Sequence, residues 1–564
     1  MNLNRTLPAL AALGCAICHA QIVYTPVIVP GQAAPGSTGS FNGPQSPAIQ
    51  APGRTAVFAF LINTPNPGFD SSGIWQATGS GVTLVAIANQ PIAGSGGAAV
   101  GTIGQPTQNR AGGVLAPASL AASGATNGVL IYSAGAGAQV AVREGDPAPG
   151  IPGATFNEVG LAGVPDFALN DSGRIAFLAP LVGPPPANSA AMFVGDASTQ
   201  TYTLVAQRGQ AAPLPGGPPM TFITAPSING AGDVAFFSNL GGSPFAALFL
   251  KPSGSPLQSA LAVGDPAPGL PAGWTFTSLV GQNSGPPHFN NNGVFAVSGG
   301  AAAPGGFPNT VGLWRGAPGA LQLVAQKGEA APGHPQGARF NDFQALINRT
   351  GGLAFYSNLD FGAQNAGVWM ALPGGPVRLL TLLNVQAPDM PPGTLITSIS
   401  NGGIGFNNRA EGLVNASMNY VVNSTPANGI FAGRPGRLRK VVASGDPLEV
   451  SPGVFRTPIS IFCWTWNSPD SGRQVSINDR GEIAFSCNFV GGGGATFIAR
   501  LPHPCPGDAT SDDLVGFSDL NVVLAAFNTV LGNPAYNPDA DFDQDDDVDF
   551  ADINATLSAF NSGC

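Results

Sequence analysis

Short apolar runs recur along this chain in a fixed order, and residues that favour turns bound each run. In one repeat the runs are Leu321–Gln326, Phe340–Ile347, Gly352–Ser357 and Gly367–Leu372. Apolar runs of this length between Gly, Pro, Asn and Asp are typical of β-strands. The pattern therefore predicts four strands for every sixty residues or so of chain.

The most constant part of each repeat has the form N-x-x-G-x-x-A-F. Clear copies begin at Asn170, Asn229, Asn290, Asn348 and Asn478, and weaker copies begin at Gln50, Asn109 and Asn407. Successive starts are separated by 59, 61, 59, 61, 58, 59 and 71 residues. A period this regular indicates one structural unit copied eight times.

The third strand of the unit distinguishes between possible architectures. In the stretch from Leu353 to Ser357 both alternating faces are mostly apolar, which is typical of a sheet covered on both sides. We therefore predict a mainly β fold, with a β-propeller of about eight four-stranded blades over residues 21–501. The run near Val27 and the last run, Ala495–Arg500, are placed to close the ring. A β-solenoid or two smaller propellers are the alternatives.

The repeated Asn and Asp residues favour a structural role over a catalytic one. Asn followed three residues later by Gly is typical of a tight turn. The Asp of the recurring GDPAPG stretch also precedes Pro, and Gln or Glu replaces it in other repeats; the residues concerned are Asp146, Asp265, Asp446, Gln210 and Glu329. A catalytic acid would not tolerate that exchange.

The tandem N-x-x-G-x-x-A-F unit resembles a bacterial family of exported repeat proteins named after this motif, over about 450 residues. The resemblance implies a surface or extracellular protein and supplies no reaction. Residues 1–20 agree with export, because one cation, an apolar run and a small-residue ending are typical of a signal peptide. No later run is long enough to span a membrane, and an acidic, exported chain of net charge −10 is not expected to bind nucleic acid.

Four cysteines remain after a signal peptide is removed. They form two local pairs, Cys463 with Cys487 and Cys505 with Cys564. In an oxidising compartment this arrangement predicts two disulfides. Unpaired, buried thiols are the alternative.

An insertion lengthens the last repeat to 71 residues and carries Trp464 and Trp466. Such aromatic side chains are candidates for stacking on a sugar ring or another flat ligand. Packing of the insertion against the propeller is the alternative interpretation.

The last sixty residues contain twelve Asp and no Lys, Arg or Glu. Oxygen-bearing residues recur there with the spacing of two twelve-residue calcium loops. The predicted ligands are Asp508, Thr510, Asp512, Leu514, Gly516 and Asp519 in the first loop, and Asp541, Asp543, Asp545, Asp547, Asp549 and Asp552 in the second. Each loop precedes an apolar stripe, Leu520, Leu524, Phe527 or Ile553, Leu557, Phe560, which predicts two helices packed together.

Two such loop–helix units with Asp at position 12 resemble a type I dockerin that ends in Gly-Cys, over residues 508–564, after a linker at 502–507. The resemblance implies two bound calcium ions and a cohesin-like or other surface protein partner. It places loop positions 10 and 11 at the partner; here these are Phe517, Ser518, Phe550 and Ala551. Internal packing of both Phe side chains is the alternative. Thr510 is a weaker ligand than Asp543, so we expect weaker binding in the first loop.

These features favour a secreted, non-enzymatic repeat protein held at a surface or in an assembly by its C-terminal module. The alternative is a carbohydrate-binding or carbohydrate-active propeller tethered by the same module, with a polysaccharide as its ligand.

Overall fold

The computed structural model describes residues 22–563, apart from 64–71, 123–124, 136, 158, 160–165, 184–188, 280–284, 464–466, 503–504, 511–513, 531–532, 534, 538, 544 and 546. The described part of the chain forms eight antiparallel sheets of four or five strands. Seven of them have their strands in sequence order from one edge to the other, and the eighth adds the first strand of the chain beside the last strand of the propeller. The sheets are the blades of one propeller. The described part of the chain contains no helix with the length and hydropathy needed to cross a bilayer.

In each blade the strand before the repeated Asn lies nearest the central axis. From the axis outward, the strands of blade 1 are Ser40–Ala48, Arg54–Ile62, Ser72–Thr78 and Gly81–Ile87. Those of blade 2 are Ala99–Ile103 with Thr107–Gln108, Val114–Ala122, Ala125–Ser133 and Ala138–Arg143. Those of blade 3 are Thr155–Phe156 with Phe167–Leu169, Arg174–Val182, Ala190–Asp196 and Thr201–Gln207, and those of blade 4 are Met220–Ile223 with Ser227–Ile228, Val234–Leu240, Ala246–Lys251 and Gln258–Ala262. Those of blade 5 are Thr275–Leu279 with His288–Phe289, Phe295–Ala302, Asn309–Gly316 and Gln322–Gln326. Those of blade 6 are Gln344–Ile347, Leu353–Asn358, Ala366–Ala371 and Val377–Leu382. Those of blade 7 are Ile396–Phe406, Gly412–Val422, Thr425–Gly433 and Arg439–Ala443, and those of blade 8 are Pro458–Phe462, Glu482–Phe489, Gly494–Arg500 and Val23–Ile28. A hairpin, Leu448–Ser451 with Val454–Arg456, joins blades 7 and 8.

The two ends of the propeller meet in blade 8 and close the ring. Val23–Ile28 pairs antiparallel with Gly494–Arg500, in a register that sets Val23 opposite Arg500. The predicted closure is confirmed. The run predicted to open each repeat is in fact the outermost strand of the preceding blade, as Gln322–Gln326 shows in blade 5. Every sequence repeat therefore spans two blades. For the same reason the last blade needs a strand from the N-terminal end.

The core lies between neighbouring blades. One cluster joins Leu313 of blade 5 to Leu353, Phe355 and Trp369 of blade 6. The strand Leu353–Asn358 is buried or half-buried along its whole length. The predicted cover on both faces of this strand is therefore confirmed, since each blade buries its apolar faces against the next.

The Asp of the GDPAPG stretch closes a turn, as predicted. The side chains of Asp265 and Asp446 accept hydrogen bonds from the backbone N–H three residues earlier, at 2.7 and 2.8 Å. Glu329 and Gln210 accept the equivalent bond at 2.9 and 3.0 Å. The turn requires only a side-chain oxygen that accepts this hydrogen bond. Asp, Glu and Gln all supply one, which explains why the residue type varies.

The repeated Asn also closes a turn, as predicted, with its Oδ1 atom. In blade 6, Asn348 Oδ1 accepts from the backbone N–H of Gly352 at 2.7 Å. Gly351, within the turn, has φ +87°, a conformation that favours glycine. The same bond recurs in blades 2 to 8, at 2.6 to 3.0 Å.

The other half of the same amide group joins blades together. Asn Nδ2 donates to the backbone carbonyl of the corresponding Asn in the next blade. Each Asn in the following series donates to the next one, at 2.8 to 3.4 Å: Asn109, Asn170, Asn229, Asn290, Asn348, Asn407 and Asn478. Six interblade contacts thus form a partial ring around the axis, which the local spacing of the repeat does not predict.

We predict that Asn348→Ala lowers the free energy of unfolding by about 2 kcal/mol, because it removes the bond to Gly352 and the bond to the next blade from a buried site. Urea denaturation would measure the change. Asn365→Ala is the matched control, since Asn365 is exposed; it should change stability by less than about 0.5 kcal/mol. Equal losses in the two variants would contradict this role for Asn348.

Candidate functional site

Two loop–helix units follow the propeller. The helices are α1, Phe517–Ala526, and α2, Phe550–Ser558. A short antiparallel pair, Thr529–Val530 with Asp547–Val548, lies between them in the chain. We refer to residues 508–519 as the first loop and to residues 541–552 as the second loop.

The two helices pack together, as predicted, but the predicted apolar stripe is only partly buried. Its half-buried members are Leu520, Phe527, Ile553 and Phe560. Leu524 and Leu557 are each 52% exposed, whereas Val523 and Thr556 are fully buried. The acidic residue that ends each loop explains the difference. Asp519 and Asp552 point into their loops and are buried, and the residues four positions later follow them to the interior because they share a helix face.

The second loop brings several carboxylates together. Asp541, Asp543 and Asp552 each place an oxygen atom within 4.8 Å of the others, and so do Asp547, Asp549 and Asp552. Asp552 belongs to both groups. Its Oδ1 accepts from the backbone N–H of Phe542 at 2.6 Å and its Oδ2 from that of Asp549 at 2.9 Å. Asp545, also a predicted ligand, belongs to neither group, and its Oδ1 accepts from Asp547 N–H at 3.2 Å.

Desolvation and the crowding of negative charge raise the pKa of Asp543 and Asp547 in this loop. Desolvation and the nearby Asp552, Asp545 and Asp541 raise the pKa of Asp543 to about 6. The pKa of Asp547 is raised by desolvation and by Asp545 and Asp549. Oxygen atoms gathered at this density suit a hard cation such as calcium.

The first loop has a related arrangement. Asp519 Oδ2 accepts from Gly516 N–H at 2.8 Å, as Asp552 does from Asp549 in the second loop. Asp519 Oδ1 accepts from both the N–H and the hydroxyl of Thr510, each at 2.8 Å. Asp512 lies outside the described residues. Leu514, predicted to offer its carbonyl, pairs with Gly563 near the end of the chain.

The four predicted partner residues are all exposed. Phe517 is 74% exposed and Phe550 68%, and Ser518 and Ala551 beside them are also exposed. The two aromatic rings occupy equivalent positions: Phe517 packs edge-on against Phe560 at 4.9 Å, and Phe550 against Phe527 at 5.0 Å.

Phe517 and Leu524 are seven residues apart on α1, as are Phe550 and Leu557 on α2, so each pair lies on one face of its helix. We call these four residues the helix patch. Its four members are large and apolar, and each is more than half exposed.

The described part of the insertion in the last repeat, residues 467–476, lies at the centre of the propeller. It interrupts the innermost strand of blade 8, between Pro458–Phe462 and the bridge of Ile477 with Ile483. Extra residues in that strand lie next to the axis. Residues 467–476 hydrogen-bond to all seven other blades, through Ile49, Arg110, Leu169, Ile228, Asn291, Ile347 and Asn408.

Backbone groups of the insertion complete the inner strand ends of other blades. The carbonyls of Ser471 and Gly472 accept from Ile228 N–H at 3.0 Å and Leu169 N–H at 2.6 Å. Gly472 has φ +71°, and a Cβ atom there would lie 2.6 Å from the Ile228 side chain and 3.0 Å from the Leu169 carbonyl. Only glycine fits this position. The insertion thus satisfies donors that the channel wall would otherwise leave unpaired.

Asp470 at the centre of the insertion is buried between two arginines. Its Oδ1 lies 2.8 Å from Arg110 Nη2 and 3.2 Å from Arg349 Nη2. Each arginine directly follows a repeated Asn, as does Asp479, which lies 3.0 Å from Arg110 Nε. Burial alone would raise the pKa of Asp479, but Arg110 and Arg349 hold it below its ordinary value. The cluster is a network of ion pairs that joins the insertion to blades 2 and 6.

Trp464 and Trp466, the predicted ligand-binding residues, lie outside the described residues. The predicted disulfide between Cys463 and Cys487 is wrong for this structure, because both are free thiols. They belong to one apolar cluster, and burial raises the pKa of each to about 12. Cys505 is disulfide-bonded, whereas Cys564 lies outside the described residues, so the pairing of these two stays a prediction.

Spacing along the chain does not by itself bring Arg110, Arg349, Asp470 and Asp479 together. A signal was present, because three of them occupy the position after a repeated Asn. Equivalent positions in a propeller lie around one axis, so charged residues there are brought together by the fold. Asp470 lies in the insertion, outside the repeated motif, so no repeated feature of the sequence indicates its position.

The chain belongs to a family of unknown function, DUF7453. The family model matches residues 23–131, 118–419 and 413–506, which together cover the propeller. No relative is found among curated proteins.

Solved propellers resemble this chain at low identity. An oligogalacturonate lyase in complex with manganese is 12% identical, with a TM-score of 0.30, over 63% of this chain and 95% of the other. An oligogalacturonate lyase from Vibrio parahaemolyticus is 8% identical, with a TM-score of 0.32, over 85% and 97%. The Dos1 propeller is 10% identical, with a TM-score of 0.37, over 85% and 95%. Likenesses this weak carry no argument about function.

We predict that Asp470→Ala destabilises the propeller by about 2 kcal/mol, since it removes the buried carboxylate between Arg110 and Arg349 while Asp479 still pairs with both arginines. The free energy of unfolding in urea would measure this. Asp470→Asn keeps the shape without the charge and should cost less. Asp360→Ala, at an exposed position, is the control. An Asp470→Ala chain as stable as the control would contradict the role assigned to Asp470.

Proposed function

We propose that this chain is an exported, non-enzymatic repeat protein whose C-terminal module resembles a type I dockerin, binds two calcium ions and docks to a protein partner. The observation that carries the proposal is the second loop. Asp541, Asp543 and Asp552 converge there, and Asp547 and Asp549 form a second group with Asp552. This is the donor set and the spacing that calcium requires.

Calcium would be held by Asp508, Thr510 and Asp519 in the first loop, and in the second loop by aspartates of the two groups that share Asp552. The ion supplies positive charge that offsets the repulsion among these carboxylates. Within the chain, the backbone N–H groups of Phe542, Asp549 and Gly516 donate to the acidic residues that end the loops and thereby orient them.

The helix patch supports a protein partner. Its two aromatic and two aliphatic side chains form an apolar surface beside the loops. Exposed apolar patches of this kind favour protein–protein contact. The patch includes Phe517 and Phe550, the residues that the dockerin resemblance places at the partner.

The channel supports a non-enzymatic propeller. Glycoside hydrolysis generally requires two carboxylates that face a substrate, one of them with a raised pKa. At the channel, Asp171, Asp470 and Asp479 are all paired with Arg110, and the pKa of Asp479 is lowered. Ion pairing of this kind favours a structural cluster.

We predict that the full-length chain binds two calcium ions, with the tighter site in the second loop. Asp541→Ala should leave one ion bound, about tenfold more weakly than the ion that Asp508→Ala leaves, because Thr510 replaces an acidic ligand in the first loop. Isothermal titration calorimetry of chelator-treated protein would measure number and affinity. Asp360→Ala should bind as the wild type does. A chain that binds no calcium at millimolar concentration would contradict the proposal.

We predict that the double variant Phe517→Ala/Phe550→Ala loses calcium-dependent capture of a cell-envelope protein by at least about tenfold, because the two anchors of the helix patch are removed. A pull-down with full-length protein, with calcium or EGTA, would measure capture. Calcium binding should be unchanged. Phe307→Ala is the control, since Phe307 is 80% exposed on blade 5. Undiminished capture by the double variant would exclude the patch as the docking surface.

A further inference from the structure

The C-terminal module contacts the propeller through the first aspartate of each loop. Asp508 Oδ2 lies 3.2 Å from Arg434 Nη1, and Asp541 Oδ2 lies 3.8 Å from Arg480 Nη2. All four side chains are at least nine-tenths buried. The two loops thus have the same relation to the propeller, one arginine for each first aspartate.

The two arginines come from neighbouring turns on one face of the propeller. Arg434 lies in the turn after the strand Thr425–Gly433 of blade 7. Arg480 lies in the N-x-x-G turn of blade 8, two residues after Asn478. A further bond, from Arg434 Nη2 to the carbonyl of Arg409 at 2.9 Å, joins the first turn to the N-x-x-G turn of blade 7.

Charge favours this contact. All 21 basic residues lie before residue 505, whereas the module carries twelve Asp and no basic residue. Buried carboxylates are costly unless they are paired, and the propeller provides the pairing for Asp508 and Asp541.

The two oxygen atoms of Asp541 face different ways. Oδ1 accepts from the backbone N–H of Asp545 at 3.2 Å, inside the second loop. Oδ2 accepts from the Tyr536 hydroxyl at 2.6 Å and faces Arg480. One carboxylate can therefore serve a cation in the loop and a guanidinium outside it at the same time.

We propose that Arg434 and Arg480 are positioning residues for the two calcium sites, and that calcium binding and docking of the module on the propeller stabilise each other. The inference rests on the proposed calcium binding. Each arginine holds the outer oxygen of a first aspartate, so that the inner oxygen is already directed into the loop. Because linkage is reciprocal, calcium strengthens the docked state by the factor that docking strengthens calcium binding.

This arrangement leaves the helix patch open. Phe517 and Phe550 remain exposed while Asp508 and Asp541 are buried against the propeller. A partner bound to the patch would therefore be held in a fixed position relative to the propeller.

Hydrogen–deuterium exchange on the full-length chain, together with calcium titration, tests the inference. In the wild type with calcium we expect slow amide exchange in the turns 409–411 and 479–481, and at least about tenfold faster exchange with EGTA. Arg434→Gln/Arg480→Gln should exchange fast even with calcium. It should still bind two ions, each about tenfold more weakly, which corresponds to about 1.4 kcal/mol.

Three further variants and controls keep the test decisive. Arg434→Lys/Arg480→Lys should recover part of the affinity, since it retains the charges. Arg339→Gln, at an exposed position on the propeller, should behave as the wild type does. Thermal melting by circular dichroism should show a folded propeller in every variant.

Several outcomes would overturn the inference. One is a Gln double variant that matches the wild type in exchange and in affinity. Another is faster exchange of the turns when calcium is added, which would mean that calcium and arginine compete for the aspartates. A wild-type chain that binds no calcium would overturn the proposed function, and this inference with it.

Discussion

The side-chain amide of the repeated Asn is the interaction on which the ring depends. Its oxygen closes a turn within one blade and its nitrogen donates to the backbone of the next. A hydroxyl or a carboxylate has no such pair of groups at this spacing, because the site requires an acceptor and a donor on one planar group. Turn geometry and blade spacing are therefore coupled, and a change at this residue affects both.

The filled channel follows from the same geometry. Inner strands that converge on an axis leave backbone N–H groups facing a narrow space, and the insertion in blade 8 pairs with them. Asp470 then places a charge on the axis, where Arg110 and Arg349 from different blades meet it. In the described part of the chain, the centre of the propeller is consequently a packed and ion-paired region. The helix patch, by contrast, is an exposed apolar surface on the C-terminal module.

The C-terminal module and the propeller have complementary chemistry. The module concentrates carboxylates, whereas the propeller face beneath it presents Arg434 and Arg480. The burial of Asp508 and Asp541 against these arginines joins metal-binding chemistry to domain docking. The helix patch lies on a different surface, so docking within the chain does not cover it.

Sequence alone determined the features that depend on near neighbours in the chain. The strands, the two kinds of turn and the loop carboxylates follow from residues within about twelve positions of each other, and the sixty-residue period implied a closed ring whose first strand completes its last blade. Only the tertiary structure decided the rest. The interblade bonds of Asn348, the central place of Asp470 and the free thiol of Cys463 depend on groups that are far apart in the chain or on the exact approach of two strands. The burial of each helix face is a related case, because Asp519 and Asp552 are buried in their loops and Leu524 and Leu557 are left exposed, although both belong to the apolar stripe. Spacing records local hydrogen bonds, whereas contacts across the axis exist only once eight blades have closed around it.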